Sequence, residues 1–209
     1  MGRQETLEAI VIKTYDVGEA DRFCILLTKE RGKIAARARG VRKLTSRMGG
    51  SLLPMQHISI EIHNGTNGTL ITAAHRNETN TVPKDIHTFD AMQHIVELLL
   101  VLLADEEEVP EIFGLMQTYL QGSKDDLQQQ TLPFSIRLLT LMGIFPPPKT
   151  LPGTYANEEH VYCATCMSAQ WQTPPVITRK QQGHIEELVS TIVEEHIGKR
   201  LQSNGSRTK

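Results

Sequence analysis

Within the first 76 residues, short β-branched-rich runs alternate with turn signals, a pattern that suits a small all-β unit and little else. The cleanest run is MQHISIEIH at 55–63, which puts Ile58, Ile60 and Ile62 on one face and Ser59, Glu61 and His63 on the other. NGTNG at 64–68 supplies Asn and Gly for a hairpin, and LITAAHR at 69–75 is the return strand. Upstream, LEAIVIKTY at 7–15 and RFCILLTKE at 22–30 are separated by DVGEAD, whose composition is that of a loop. After a tight turn at Arg31 and Gly32, IAARARG alternates again, with Ile34, Ala36 and Ala38 facing one way and Ala35, Arg37 and Arg39 the other. Five such strands predict a small closed barrel, with an SH3-like barrel as the nearest rival.

Charge is distributed very unevenly over this frame. Residues 29–48 hold eight Lys or Arg against the single acid Glu30, a net of +7, so the rest of a chain of net charge −2 carries −9. Such polarisation points to a polyanionic partner for the N-terminal part. Its acidic counterpart is DEEEVPE at 105–111. Lys33, Arg37 and Arg39 on the third strand, continued by Arg42, Lys43 and Arg47 on the loop that Gly49, Gly50 and Pro54 close, are the candidate nucleic-acid-binding residues. Cations that neutralise phosphates release condensed counterions and gain affinity without regard to sequence. The basic run contains no aromatic residue and the chain only 5%, so backbone electrostatics, open to duplex and single strand alike, is the expected mode. The alternative for any charge run is a solvated face that protects a sheet edge.

Beyond residue 80 the period changes. Phe89, Met92, Ile95, Val96, Leu99, Leu100 and Leu103 follow helical spacing, with Pro83 suited to a first turn. VPEIFGLMQTYLQG at 109–122 predicts a second helix, QQTLPFSIRLLTLMG a third that starts at Pro133, and Lys180 to Ile197 a last one, before a frayed polar tail. FPPPKTLPGTY at 145–155 is a linker or wrapping loop. The longest apolar run, LLLVLLA at 98–104, is too short to span a bilayer and reads as core helix. No secretory signal is visible, and three Cys without a disulfide framework suit a reducing cytosol.

The order GEADRFCILLTKERGKIAARARGVRKLTSRMGGSLLPM followed by the ISIEIH strand resembles the N-terminal domain of the bacterial RecO family of DNA repair proteins, with weaker support from LLTLMGIFP and HIGKRLQS. The resemblance implies an OB-fold over residues 1–80 and a mostly helical domain over 81–209, an α+β chain. It also implies binding of single- and double-stranded DNA, strand annealing, recombinase loading with a RecR-type partner, and contact with the acidic C-terminal tail of single-stranded-DNA-binding protein. A nucleoid-associated cytoplasmic location goes with that role. For the tail peptide, a cation beside apolar walls is needed, and Arg137 with Leu138 and Leu141 is the candidate site.

The family's helical domain usually carries a zinc ribbon, and Cys163 and Cys166 in HVYCATC form half of one. Where a second pair belongs, the chain reads MSAQWQTPPVITRKQQGH. Either His160 and His184 complete a Cys2His2 site, or residues 160–175 are a degenerate ribbon with reduced thiols, Trp171 and Tyr162 filling the metal's space. The second reading is adopted, so no cofactor is expected. Cys24, among apolar strand residues, reads as core.

Enzyme classes find no support. NEEHVY before the cysteines lacks the His-x-Glu and Pro of zinc deaminases, and no Gly-x-x-x-x-Gly-Lys phosphate loop occurs. Asp16, Glu19 and Asp21 flank a loop glycine and read as turn formers. The sequence thus predicts a noncovalent DNA-binding recombination mediator. Its alternatives are an interaction scaffold of the same fold that has lost DNA binding, and an RNA-binding barrel.

Overall fold

A computed structural model describes residues 3–66, 68–77, 85–122, 127–151, 155–168, 174–198 and 201. Pro83 at a first helical turn, Trp171, most of the polar tail and the 80/81 boundary lie outside the described residues, as does part of the 145–155 loop. Two compact units emerge: Met1–Pro83 with Leu103–Gly122, and Lys84–Leu102 with Ser123–Lys209.

The first unit contains strands β1 (Arg3–Val17), β2 (Asp21–Thr28), β3 (Gly32–Ala38), β4 (His57–Gly65) and β5 (Gly68–Arg76). They close into a barrel in the order β1-β2-β3-β5-β4, antiparallel except for the β3–β5 pairing. That order is the five-stranded OB-fold and disposes of the SH3-like rival. β1 is longer than its apolar run because it serves two partners: Arg3–Ile10 pairs with β4 and Ala9–Val17 with β2. A register shift between Val11 and Lys13 gives the strand the extra bend that closure requires.

Alternation holds where the sequence predicts it. Ile58, Ile60 and Ile62 are fully buried, as are Ala36 and Ala38, while Ala35, Arg37 and Arg39 face solvent. Cys24 lies in the same barrel core. The loop between β3 and β4 plugs one end of the barrel: Val41 and Leu52 join the core cluster and Met48 packs on it. Burying these three leaves the polar residues between them on the outside.

Helix α1 spans Ile86–Leu102 and belongs to the second unit, whereas α2 (Pro110–Gln121) belongs to the barrel unit. A short parallel bridge between Lys33 and Asp105 ties the segment before α2 to β3, and the Glu106 N–H donates to the Lys33 carbonyl at 2.8 Å. Gly32 is indispensable to this contact. Its φ of +64° is left-handed, and a Cβ there would lie 1.6 Å from the Glu107 carbonyl oxygen. α2 is fastened to the barrel by Phe113, edge-on to the His57 ring, and by Gln117, which donates to Glu8 Oε1 at 3.1 Å; His57 Nε2 meets the same oxygen at 2.8 Å.

The second unit packs α1 against α3 (Leu127–Leu141) and α5 (Arg179–Ile197), and α3 against α4 (Asn157–Met167). α3 begins six residues before Pro133, which sits inside the helix rather than at its start. Leu127, Thr131 and Leu132 of that extra segment are buried, and this burial offsets the cost of an internal proline, about 3 kcal/mol. Thr178 caps α5 by accepting from the Gln181 N–H while Gln181 accepts from the Thr178 N–H, and Gly198 ends it at φ +66°. No described helix is long and apolar enough to cross a membrane.

Candidate nucleic-acid interface

The end of β3, the β1–β2 turn and the start of the β3–β4 loop converge at one end of the barrel. Arg42 donates from its backbone N–H to the Ala20 carbonyl at 2.9 Å and from Nη1 to the Gly18 carbonyl at 3.0 Å, so the loop is stitched to that turn. The Lys43 N–H returns to the Gly40 carbonyl and the Ser46 N–H to the Lys43 carbonyl, two successive turns that point the intervening side chains outward.

The six candidate cations fall into three classes. Lys33 is buried, and its Nζ lies 3.2 Å from Asp105 Oδ1. It shares the outward parity of Arg37, but the acidic segment before α2 covers it, so its amine has no open path to a phosphate. Neighbouring Arg31 is engaged likewise by Glu106 at 3.1 Å. Arg37 and Arg42 are exposed yet paired. Arg37 donates from Nε and Nη2 to Asp21 Oδ2 at 3.0 and 2.7 Å, and Arg42 Nε stands 3.3 Å from Asp16 Oδ2. Asp21 also accepts the Gly40 N–H at 2.8 Å; that bond first, and Arg37 second, hold its carboxyl below the usual range. The side chains of Arg39, Lys43 and Arg47 are exposed and make no ion pair or hydrogen bond among the described residues.

Asp16 and Asp21 therefore do more than form a turn. They hold two arginines of the basic run in place from the adjoining ends of β1 and β2, leaving five accessible cations facing two carboxylates. Exposed pairs of this kind contribute about 0–1 kcal/mol, so a phosphate can replace the carboxylate at little cost.

Tyr15 and Phe23 escaped the sequence reading because they sit outside the basic run. They are direct cross-strand partners on β1 and β2, 47% and 36% exposed, and Phe23 is in turn the partner of Arg37 on β3. Alternation within KTY and RFC was the available signal.

The other predicted sites lie in the second unit. Arg137 is half-buried and donates to the Met167 carbonyl at the last turn of α4, which places it as a cap for that helix. Leu138 is fully buried, so it cannot wall an open peptide pocket, and Leu141 is half-buried. Cys163 and Cys166 lie on α4, one helical turn apart, rather than on the tight turn of a ribbon. Both are buried, and that burial pushes each thiol up to about 12. His160 Nδ1 donates to the Pro148 carbonyl at 2.7 Å, and His184 Nδ1 lies 3.2 Å from the buried Glu159. Among the described residues no group of three or more His, Cys, Asp or Glu is arranged to hold a metal ion, so the donor set does not fit a zinc ribbon.

Comparison with known proteins agrees with the barrel-plus-helices architecture. Residues 1–75 match the family model "Recombination protein O N terminal" and residues 83–148 match "Recombination protein O C terminal". A protein of Myxococcus xanthus named DNA repair protein RecO is 32% identical over 147 residues, covering 66% of this chain and 59% of its own length. One of the same name from Heliobacterium modesticaldum is 34% identical over 143 residues, 66% of this chain and 51% of the relative. A third, from Nocardioides sp., is 48% identical over 67 residues, 32% of this chain and 28% of the relative. The chain spans less than two thirds of the length of these relatives. With both family models matched in order on a closed OB barrel and a helical unit, the chain belongs to the RecO family.

Proposed function

We propose that the chain acts noncovalently in DNA repair and recombination, binding single- and double-stranded DNA at the barrel end where Arg37, Arg39, Arg42, Lys43 and Arg47 gather. The observation that carries this reading is the exposure of Arg39, Lys43 and Arg47 without any ion pair among the described residues, on a loop anchored by Val41, Met48 and Leu52. Screening of phosphate repulsion by such a surface lets complementary strands approach and anneal. The relatives' printed role as DNA repair proteins accords with it.

Recombinase loading with a RecR-type partner, and recognition of the acidic tail of single-stranded-DNA-binding protein, belong to the same proposal. For the tail, Arg137 and Leu141 are the residues left, since Leu138 is enclosed. Titrating the tail peptide against Arg137→Ala checks the assignment; unchanged affinity dismisses it. No cofactor enters the scheme.

An interaction scaffold without DNA binding is the second reading, favoured by the carboxylates that pair Arg37 and Arg42. Mobility shifts at low salt with strands of about 20 to 50 nucleotides separate the two. DNA and RNA competitors in the same assay test the RNA-binding variant. Strand annealing with and without single-stranded-DNA-binding protein then probes DNA and partner contact together, and absence of any shift at low salt removes the proposal.

A further inference from the structure

The outer face of the barrel carries a second feature that cation pairing does not explain. In register across β1, β2 and β3, Tyr15, Phe23 and Arg37 form one row, and Lys13, Ile25 and Ala35 form the next. Large apolar side chains on the solvent face of a strand cost hydration and usually mark a contact surface when they cluster. Here two ring-bearing residues are direct cross-strand partners, for which the Cβ spacing is about 4.5–5.5 Å. Neither packs against another ring among the described residues.

Their surroundings select the occupant. Lys13 Nζ lies 5.3 Å from the centre of the Tyr15 ring, and Arg37 flanks Phe23 from the other side. Arg39 follows, exposed, in the turn just past the end of β3. Asp21, cross-strand partner of Val17 in the neighbouring row, is already engaged by Arg37 and the Gly40 N–H. Two exposed rings bordered by cations suit a ligand that alternates flat aromatic groups with negative charges. An apolar protein surface would use the rings but leave the cations uncompensated, and a bare phosphate chain would use the cations but leave the rings wet.

We infer that Tyr15 and Phe23 form a two-ring platform on which unpaired nucleobases stack, while Lys13, Arg37 and Arg39 hold the adjoining phosphates. This rests on the nucleic-acid-binding reading above and adds to it a preference for single strands. Bases in a duplex have their faces covered by their neighbours, so the platform favours strands whose bases can splay. The cations at the barrel end serve both forms. A protein with both elements can hold a separated strand by its bases and tolerate the duplex that annealing produces.

The test uses the full chain and three labelled probes of equal length: single-stranded DNA, the matching duplex, and single-stranded RNA. Tyr15→Ala and Phe23→Ala are expected to weaken single-strand binding by about 5-fold or more each. Duplex affinity should stay within about 2-fold, and the salt slope on each probe should not change. Tyr15→Phe and Phe23→Tyr should retain wild-type affinity. Equal loss on RNA and DNA assigns the platform to unpaired bases of either kind; loss on DNA alone assigns it to DNA. Unchanged single-strand binding, or equal loss on duplex, overturns the platform and leaves the cationic surface intact. If the wild-type chain binds no probe, the functional reading itself fails. Should the alanine variants not fold, photo-crosslinking of 5-iodouracil-substituted single strands to the wild-type chain decides: adducts on Tyr15 or Phe23 support the platform, and adducts confined to other residues overturn it.

Discussion

Replacing Arg39, Lys43 and Arg47 together by Ala removes the three cations that carry no carboxylate partner among the described residues, and this isolates what the barrel end contributes. Each phosphate neutralised on duplex DNA adds about 0.9 to the slope of log affinity against log salt. If all five accessible cations engage, the wild-type slope is about −4.5 and the triple variant retains about −1.8. Between 50 and 200 mM salt the first corresponds to a loss of about 500-fold and the second to about 12-fold. If Arg37 and Arg42 stay with Asp21 and Asp16, the wild-type slope is about −2.7 and the variant's is near zero. In both cases the difference is about 2.7, which makes the difference the quantity to measure. Fluorescence anisotropy with a labelled duplex across that salt range supplies it, with circular dichroism to confirm that the variant folds. Lys33→Met is the control: its amine is buried against Asp105, so the slope should not move. A slope difference below about 1 for the triple variant, or a drop in Lys33→Met comparable with that of the triple variant, would refute the reasoning.

Further outcomes follow from particular contacts. Gly32→Ala meets both a left-handed φ and the Glu107 carbonyl, so it should destabilise the barrel unit by more than about 1 kcal/mol, seen as a lower urea midpoint. Asp21, held below the usual carboxylate range by the Gly40 N–H and Arg37, lends stability that is complete above its unfolded pKa of about 3.9 and is lost as pH falls through its lower folded value. Thermal unfolding of Asp21→Asn between about pH 5 and pH 2 should therefore show a shallower acid decline than wild type, and identical declines would dismiss the role. With Cys163 and Cys166 pushed up to about 12 and buried, thiol reagents at pH 8 should label them only on unfolding, and purified protein should hold far less than one zinc per chain. One equivalent of zinc, lost on mutating Cys163, would contradict the assignment.

What the sequence discloses and what it conceals divide along the range of the interactions involved. Period-two alternation set the faces of β3 and β4 correctly because one buried face fixes register locally, as Ile58, Ile60 and Ile62 show. β1 extends to Arg3 because it pairs with β4, a partner some fifty residues away, and RQET carries no apolar signal of that pairing. Pro133 argued locally for a helix start, yet tertiary burial of Leu127 and Leu132 overrides the local rule. The Cys-x-x-Cys spacing suggested a metal turn, but a separation of three also puts two side chains on one face of a helix, and α4 uses it so to bury both thiols.

The charge run shows most clearly why composition overstates an interface. Eight basic residues between 29 and 48 are visible in one line of sequence, but their availability depends on acids placed elsewhere. Asp105 and Glu106, some seventy residues on, occupy Lys33 and Arg31, so the acidic DEEE stretch acts inside the barrel unit as the neutralising partner of the run's first part. Asp21 and Asp16, about sixteen and twenty-six residues upstream, hold Arg37 and Arg42 while keeping them exposed. The two kinds of pairing have opposite consequences. A buried cation such as Lys33 is removed from binding, because parting it from Asp105 leaves a charge out of water; an exposed cation is only oriented by its partner, because solvent and phosphate compete with the carboxylate on nearly equal terms. Burial rather than pairing thus decides which arginines and lysines stay open to an anion, and burial moves the accessible charge of the run from β3's start to its end, beside Tyr15 and Phe23.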